Sequence, residues 1–104
     1  MSDSGDFESR YAELREGYVV RVRERIERLE GLAGELEEGG GAEVVEEIYQ
    51  VVHRLSGSGE TMGFPEVSEL SIEVEEELEV GEPGDDLPRR LRGYCDALRA
   101  CLGD

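Results

Sequence analysis

His53-Arg54-Leu55-Ser56-Gly57-Ser58-Gly59-Glu60-Thr61-Met62-Gly63 carries the chain's one histidine. Apolar side chains reach this stretch from upstream at helical spacing: Val45, Ile48, Val52 and Leu55, then Gly59 and Met62. With those residues turned toward a core at about 100° per residue, His53 lies roughly 145° from the middle of the apolar stripe. Its face-mates are Tyr49, Ser56, Gly57 and Glu60. The stretch therefore predicts a core helix with one imidazole on its outer face and small residues in the next turn. Glycine inside a helix costs about 0.5–1 kcal/mol relative to alanine. The two here face different directions. Gly59 lets a neighbouring helix come close, and Gly57 clears the surface beside His53, as a site reached by another protein requires.

This stretch lies in the second of four amphipathic segments. Asp6 is the expected N-cap of the first, after a frayed Met1–Gly5. A stripe at steps of three and four follows through Phe7, Tyr11, Leu14, Tyr18, Val22, Ile26, Leu29, Ala33 and Leu36. Gly17 allows a short leading N-terminal helix to be set off from the long one. Glu38-Gly39-Gly40-Gly41 ends it, glycine supplying a left-handed cap. The second helix is expected over about Ala42–Met62 and the third over about Pro65–Val80, across a tight Gly63-Phe64-Pro65 junction. Val67, Leu70, Ser71, Val74 and Leu78 form the third helix's inner face, with Glu75 at its edge and Ile72 pointing outward near Ser68 and Glu79. Gly81-Glu82-Pro83-Gly84 breaks the chain again. Asp85 or Asp86 caps a last helix striped by Leu87, Leu91, Tyr94, Leu98 and Cys101 or Leu102. Short connections make neighbours antiparallel, so the expected fold is all-α, a single-domain up-down-up-down four-helix bundle.

Composition excludes several classes. Twenty-seven acids stand against 11 bases, all of them arginine, for a net charge of −16. Nucleic acid and anionic membrane surfaces both need a basic face, so neither is an expected partner. The acid excess reads as a solvated, glutamate-rich helix surface, with a high-salt cytoplasm as the sharper alternative. Cys95 and Cys101 fall about 9 Å apart along one helix, too far for a disulfide, and read as reduced residues of a cytoplasmic protein. They and one distant histidine do not make a metal site. There is no run of membrane-span length and no signal-peptide core.

On exposure alone, His53 is an ordinary surface residue. However, His53-Arg54-Leu55-Ser56-Gly57, then Gly63, then Val67, Leu70, Ser71, Val74 and Glu75 together resemble, in register, the histidine-phosphotransfer (HPt) domain family. The resemblance implies that His53 accepts a phosphoryl group from a receiver-domain aspartate and passes it to another, in a two-component phosphorelay. It implies response-regulator receivers and a hybrid or other histidine kinase as partners, and magnesium held by the receiver rather than by this chain. No cofactor is expected here. Nε2 is the expected nucleophile, and Glu75 occupies the family position from which a carboxylate would hold Nδ1–H. The alternative for Glu75 is a solvated glutamate among Glu73, Glu76 and Glu77. Tyr49, Ser56, Gly57, Glu60 and Ile72 are the expected receiver-docking surface. One position departs from the family: Ser56 stands where lysine is common. Arg54, a quarter-turn from His53, either screens phosphoryl charge or pairs with Gln50 or Glu47.

The chain lacks a glycine-rich nucleotide loop and is expected to be a phosphocarrier that does not phosphorylate itself from ATP. A serine nucleophile at Ser56 or Ser58 lacks a third orienting group and an oxyanion hole, both hydroxyls being expected to face solvent. A monomer is expected, and Met1 with capped ends favours a free-standing protein. The competing reading is a helical-bundle adaptor that binds a receiver or kinase without carrying phosphate.

Overall fold

A glycine with positive φ closes the first helix, and a second turns the chain between the next two. The computed structural model describes residues 3–81 and 84–103, the side chains of residues 3–6 excepted. At Gly39 (φ 100°), the chain leaves the first helix, α1 (Asp3–Glu37), through a left-handed turn. Gly40 N–H donates to Glu35 C=O at 2.8 Å and Gly39 N–H to Leu36 C=O at 3.1 Å. This is the paired closure that satisfies the last carbonyls of a helix. Gly63 (φ 85°) repeats it, with Phe64 N–H donating to Gly59 C=O at 2.8 Å and Gly63 N–H to Glu60 C=O at 3.1 Å.

The remaining helices are α2 (Ala42–Ser58), α3 (Pro65–Val80) and α4 (Leu87–Cys101). Among the described residues there is no strand. Side-chain pairs fix the directions. Tyr18 bonds Ser58 and Arg28 bonds Glu47 between α1 and α2. Tyr49 bonds Glu79 and His53 bonds Glu75 between α2 and α3. Ser71 bonds Tyr94 and Arg90 bonds Glu77 between α3 and α4. Arg99 grips Glu30 and Arg92 grips Glu37 between α4 and α1. At every interface one number rises as the other falls, so all four neighbours are antiparallel. α1 packs on α2 and α4, and α3 packs on α2 and α4. That is the expected up-down-up-down bundle.

Its core is one cluster: Tyr18, Val22, Ile26, Leu29, Leu32 and Ala33 from α1, Ile48, Val52 and Leu55 from α2, Val67 from α3, and Leu91, Tyr94, Cys95 and Leu98 from α4. Burial pushes the Cys95 thiol up to about 12, which keeps it protonated. Both cysteines are free. A buried polar pair joins Ser71 Oγ to Tyr94 OH, at 2.5 Å.

The structure corrects several expectations. α1 is one continuous helix through Gly17, so no short leading helix is set off. It starts at Asp3, which puts Asp6 inside the helix rather than at its cap. Met1 and Ser2 of the expected frayed start, and Glu82 and Pro83 of the last break, lie outside the described residues. Phe7, at 71% exposure, and Leu14, at 58%, are not core. α1 has 35 residues against 15 to 17 for its partners, or about 52 Å against about 25 Å at 1.5 Å per residue. Its first turns pass beyond the α2–α3 junction, where Arg15 lies 4.7 Å over the Phe64 ring. The regular part of α2 ends at Ser58 rather than near Met62, because Ser68 Oγ takes the Glu60 N–H at 2.7 Å in place of a helical carbonyl. Ser68 is therefore buried rather than outward. Asp86 does precede α4, but its carboxylate pairs with Arg90 rather than with the helix N-terminus.

Candidate functional site

The register of α2 on α3 builds the site. Steps of four along each helix place Tyr49 opposite Glu79 and His53 opposite Glu75. The close packing behind this register is visible at Gly59. A β-carbon there would stand 2.7 Å from Ser68 N and 2.8 Å from Phe64 O, so only hydrogen lets α3 sit this near. Gly57, two residues earlier, faces open space, with nothing within 4 Å of an added β-carbon. The two glycines thus divide their roles as the sequence predicts.

His53 is 61% exposed and Glu75 only 14%. Nδ1 of the imidazole bonds Glu75 Oε2. A carboxylate has no proton to give, so Nδ1–H is the donor, which leaves Nε2 as the unprotonated nitrogen of the neutral ring. The single proton of the Ser56 hydroxyl is shared between His53 C=O at 2.7 Å and Glu75 Oε1 at 3.2 Å. One oxygen of the carboxylate therefore holds the ring, and the other faces the serine beside it. On the other side, the Tyr49 ring is nearly parallel to the imidazole, at 12° and 5.9 Å between centroids. Tyr49 OH donates to Glu79 Oε1 at 2.6 Å. That bond holds the phenol proton and pushes its pKa up to about 12.

Of the predicted site residues, the structure brings together His53, Glu75, Tyr49 and Ser56. Arg54, Gly57, Glu60 and Ile72 lie around them without bonding His53. Arg54 is exposed and has no hydrogen bond or ion pair among the described residues. Both partners considered for it are engaged elsewhere, Gln50 with Glu46 and Glu47 with Arg28. Ile72 is 43% exposed on α3. Ser58 corrects the sequence reading. Its hydroxyl faces inward to Tyr18 OH at 2.8 Å, rather than to solvent. Glu79 was missed as a site residue. Its signal was the matched four-residue spacing of Tyr49 to His53 and Glu75 to Glu79 on antiparallel helices.

Among the described residues, no group of three or more metal-ligating side chains occurs. Nor is any helix among them long and apolar enough to cross a membrane.

The arrangement is a helix-borne imidazole held at one nitrogen and open at the other. Residues 13–101 match the sequence profile of the Hpt domain. The chain is also similar to the chemotaxis protein CheA of Halobacterium salinarum, 31% identical over 96 residues. That match covers 86% of this chain and 14% of the relative's length. No solved structure matches the chain. The residues that carry the sequence resemblance, the four-helix bundle and the profile match agree, and the chain belongs to the Hpt domain family.

Proposed function

We propose that this domain relays phosphoryl groups between receiver-domain aspartates, with His53 as the carrier. The observation that supports it is the Nδ1–Glu75 bond, which leaves Nε2 of an exposed imidazole as the available nucleophile. In the forward step, the Nε2 lone pair attacks phosphorus of an aspartyl phosphate. The Nε2–P bond forms as the P–O bond to the aspartate breaks, and the carboxylate leaves. Nδ1–H stays on the ring, which becomes cationic, and Glu75 faces that charge. Transfer to a second receiver reverses each step. Phosphoryl transfer asks mainly for positioning and charge stabilisation. The open surface at Gly57 admits the partner, and the unpaired Arg54 is the nearby cation for the transferred group. Magnesium belongs to the receiver. Receivers and a histidine kinase are the proposed partners, in keeping with the likeness to a chemotaxis protein.

Incubation with a phosphorylated receiver tests the proposal. The parent should acquire an acid-labile, alkali-stable label, and His53→Gln should not. Label that survives the substitution, or no label from several receivers, overturns it. A receiver that binds without transfer would establish the adaptor instead.

A further inference from the structure

We propose that Tyr49 is a positioning residue for the His53 imidazole. The role rests on His53 being the carrier, and it differs from receiver docking. The covalent tether at Cβ and the bond at Nδ1 fix two points of the side chain but leave the plane of the ring free to rock about the line between them. Fixing the direction of Nε2 needs a second constraint, on the plane of the ring. Tyr49 supplies it, one turn earlier on the same helix. Its ring lies within 12° of parallel to the imidazole at 5.9 Å, inside the range of favourable offset stacking.

A tyrosine on an outer helix face is ordinarily free to change rotamer, and a loose plate would fix nothing. This one is tied at its far end, because its hydroxyl donates to Glu79 Oε1 at 2.6 Å. Glu79 and Glu75 are one turn apart on α3, as Tyr49 and His53 are on α2. The two rings are thus held edge-on by two carboxylates of the neighbouring helix. Tyr49 stands beside the imidazole with its plane aligned, Nδ1 is engaged, and Nε2 is the ring nitrogen left for an incoming phosphorus. Because the tyrosine hydroxyl is committed to Glu79, Tyr49 acts through His53 rather than on the phosphoryl group.

The experiment uses the full chain and phosphoramidate, a small phosphoryl donor with no docking surface. The Nε2–P bond forms as the donor's P–N bond breaks and ammonia leaves. Tyr49→Leu should slow labelling roughly tenfold, the scale of a modest loss of orientation, while Tyr49→Phe and Glu79→Gln should slow it about two- to threefold. The NMR three-bond couplings of the His53 side chain, with the NOEs from its ring proton to its β-protons, should report one χ1 and one χ2 setting in the parent and averaged settings in Tyr49→Leu. If Tyr49→Leu does not fold, the Phe and Glu79→Gln variants carry the test. Parental labelling and parental couplings in the variants overturn the positioning role alone. So does slowing with a phosphorylated receiver but not with phosphoramidate, which would make Tyr49 a docking residue. Absence of label in the parent with either donor overturns the carrier reading, and the positioning role with it.

Discussion

Glu75 accepts the Nδ1–H of His53 from a recess: the carboxylate is 14% exposed and the imidazole it holds is 61% exposed. If His53 carries the phosphoryl group as proposed, the ring becomes cationic against a partly desolvated acceptor, and the bond is charge-assisted and stronger in the product than in the resting state. Glu75→Gln keeps an acceptor but loses the charge, and Glu75→Ala loses both. Phosphoryl transfer should fall about 10- to 100-fold in Glu75→Ala, the equivalent of the roughly 1.5–3 kcal/mol of such a bond, with Glu75→Gln between it and the parent. Rapid-quench transfer from a phosphorylated receiver measures both. A Glu75→Ala rate within twofold of the parent would sink the assignment.

Gly57 and Gly59 should respond to alanine with opposite signs. At Gly59 the new methyl would meet Ser68 N and Phe64 O, both backbone, within 2.8 Å. The α2–α3 packing must then open, and urea unfolding should show a loss of about 1–3 kcal/mol. At Gly57 nothing lies within 4 Å. Alanine there should raise stability by up to about 0.5–1 kcal/mol through helix propensity. If the bare surface serves the incoming receiver, Gly57→Ala should also slow transfer from the receiver and leave labelling by phosphoramidate unchanged.

Leu14 and Leu29 share one apolar stripe yet stand in different surroundings. Leu29 is fully buried and Leu14 is 58% exposed. Leu29→Ala should therefore cost about 2–5 kcal/mol, whereas Leu14→Ala should stay within about 0.5 kcal/mol of the parent. Denaturant midpoints compare them directly. A large loss at Leu14 would mean that the projecting turns of α1 are packed in solution.

That contrast shows what a sequence can tell and where it stops. Spacing at three and four residues says which face of α1 is apolar, and the prediction holds from Tyr18 to Leu36. It does not say whether a partner stands opposite that face, which depends on the lengths of three other helices. The helix order, the antiparallel directions, the left-handed turn at Gly39 and the tight junction at Gly63 were legible because each has a local cause. Within the site, Glu75 was legible through the family register and His53 through its phase. The Ser56 bond to Glu75 and the Tyr49 bond to Glu79 were not. Each depends on a rotamer choice and on how far α3 slides along α2, and neither leaves a periodic trace. Ser68 was misplaced for a related reason, since its burial follows from an exchange with the Glu60 N–H that occurs only once the helices dock.

The α1–α4 seam should make stability pH-dependent in a stated window. Arg99 holds Glu30 through bonds of 2.9 and 2.6 Å, and Arg92 holds Glu37 through bonds of 2.7 and 2.8 Å. In each case the hydrogen bonds to the guanidinium keep the carboxyl below its ordinary 4.5. A carboxyl with a lowered pKa in the folded state adds stability above the unfolded pKa, and loses it as pH falls through the folded one. The remaining acids act in the opposite direction. With a net charge of −16, their mutual repulsion weakens as they protonate, which favours the compact state. The melting temperature of the parent alone therefore mixes two effects of opposite sign. Comparison with Arg92→Gln/Arg99→Gln separates them. Parent and variant should differ most near pH 6, and the gap should close as pH falls from about 4.5 toward 3. The pairs are partly exposed, so added salt should narrow the gap at pH 6 as well. Melting followed by circular dichroism at several pH values measures this, and a gap of constant size from pH 6 to pH 3 would show that the two pairs do not hold the seam.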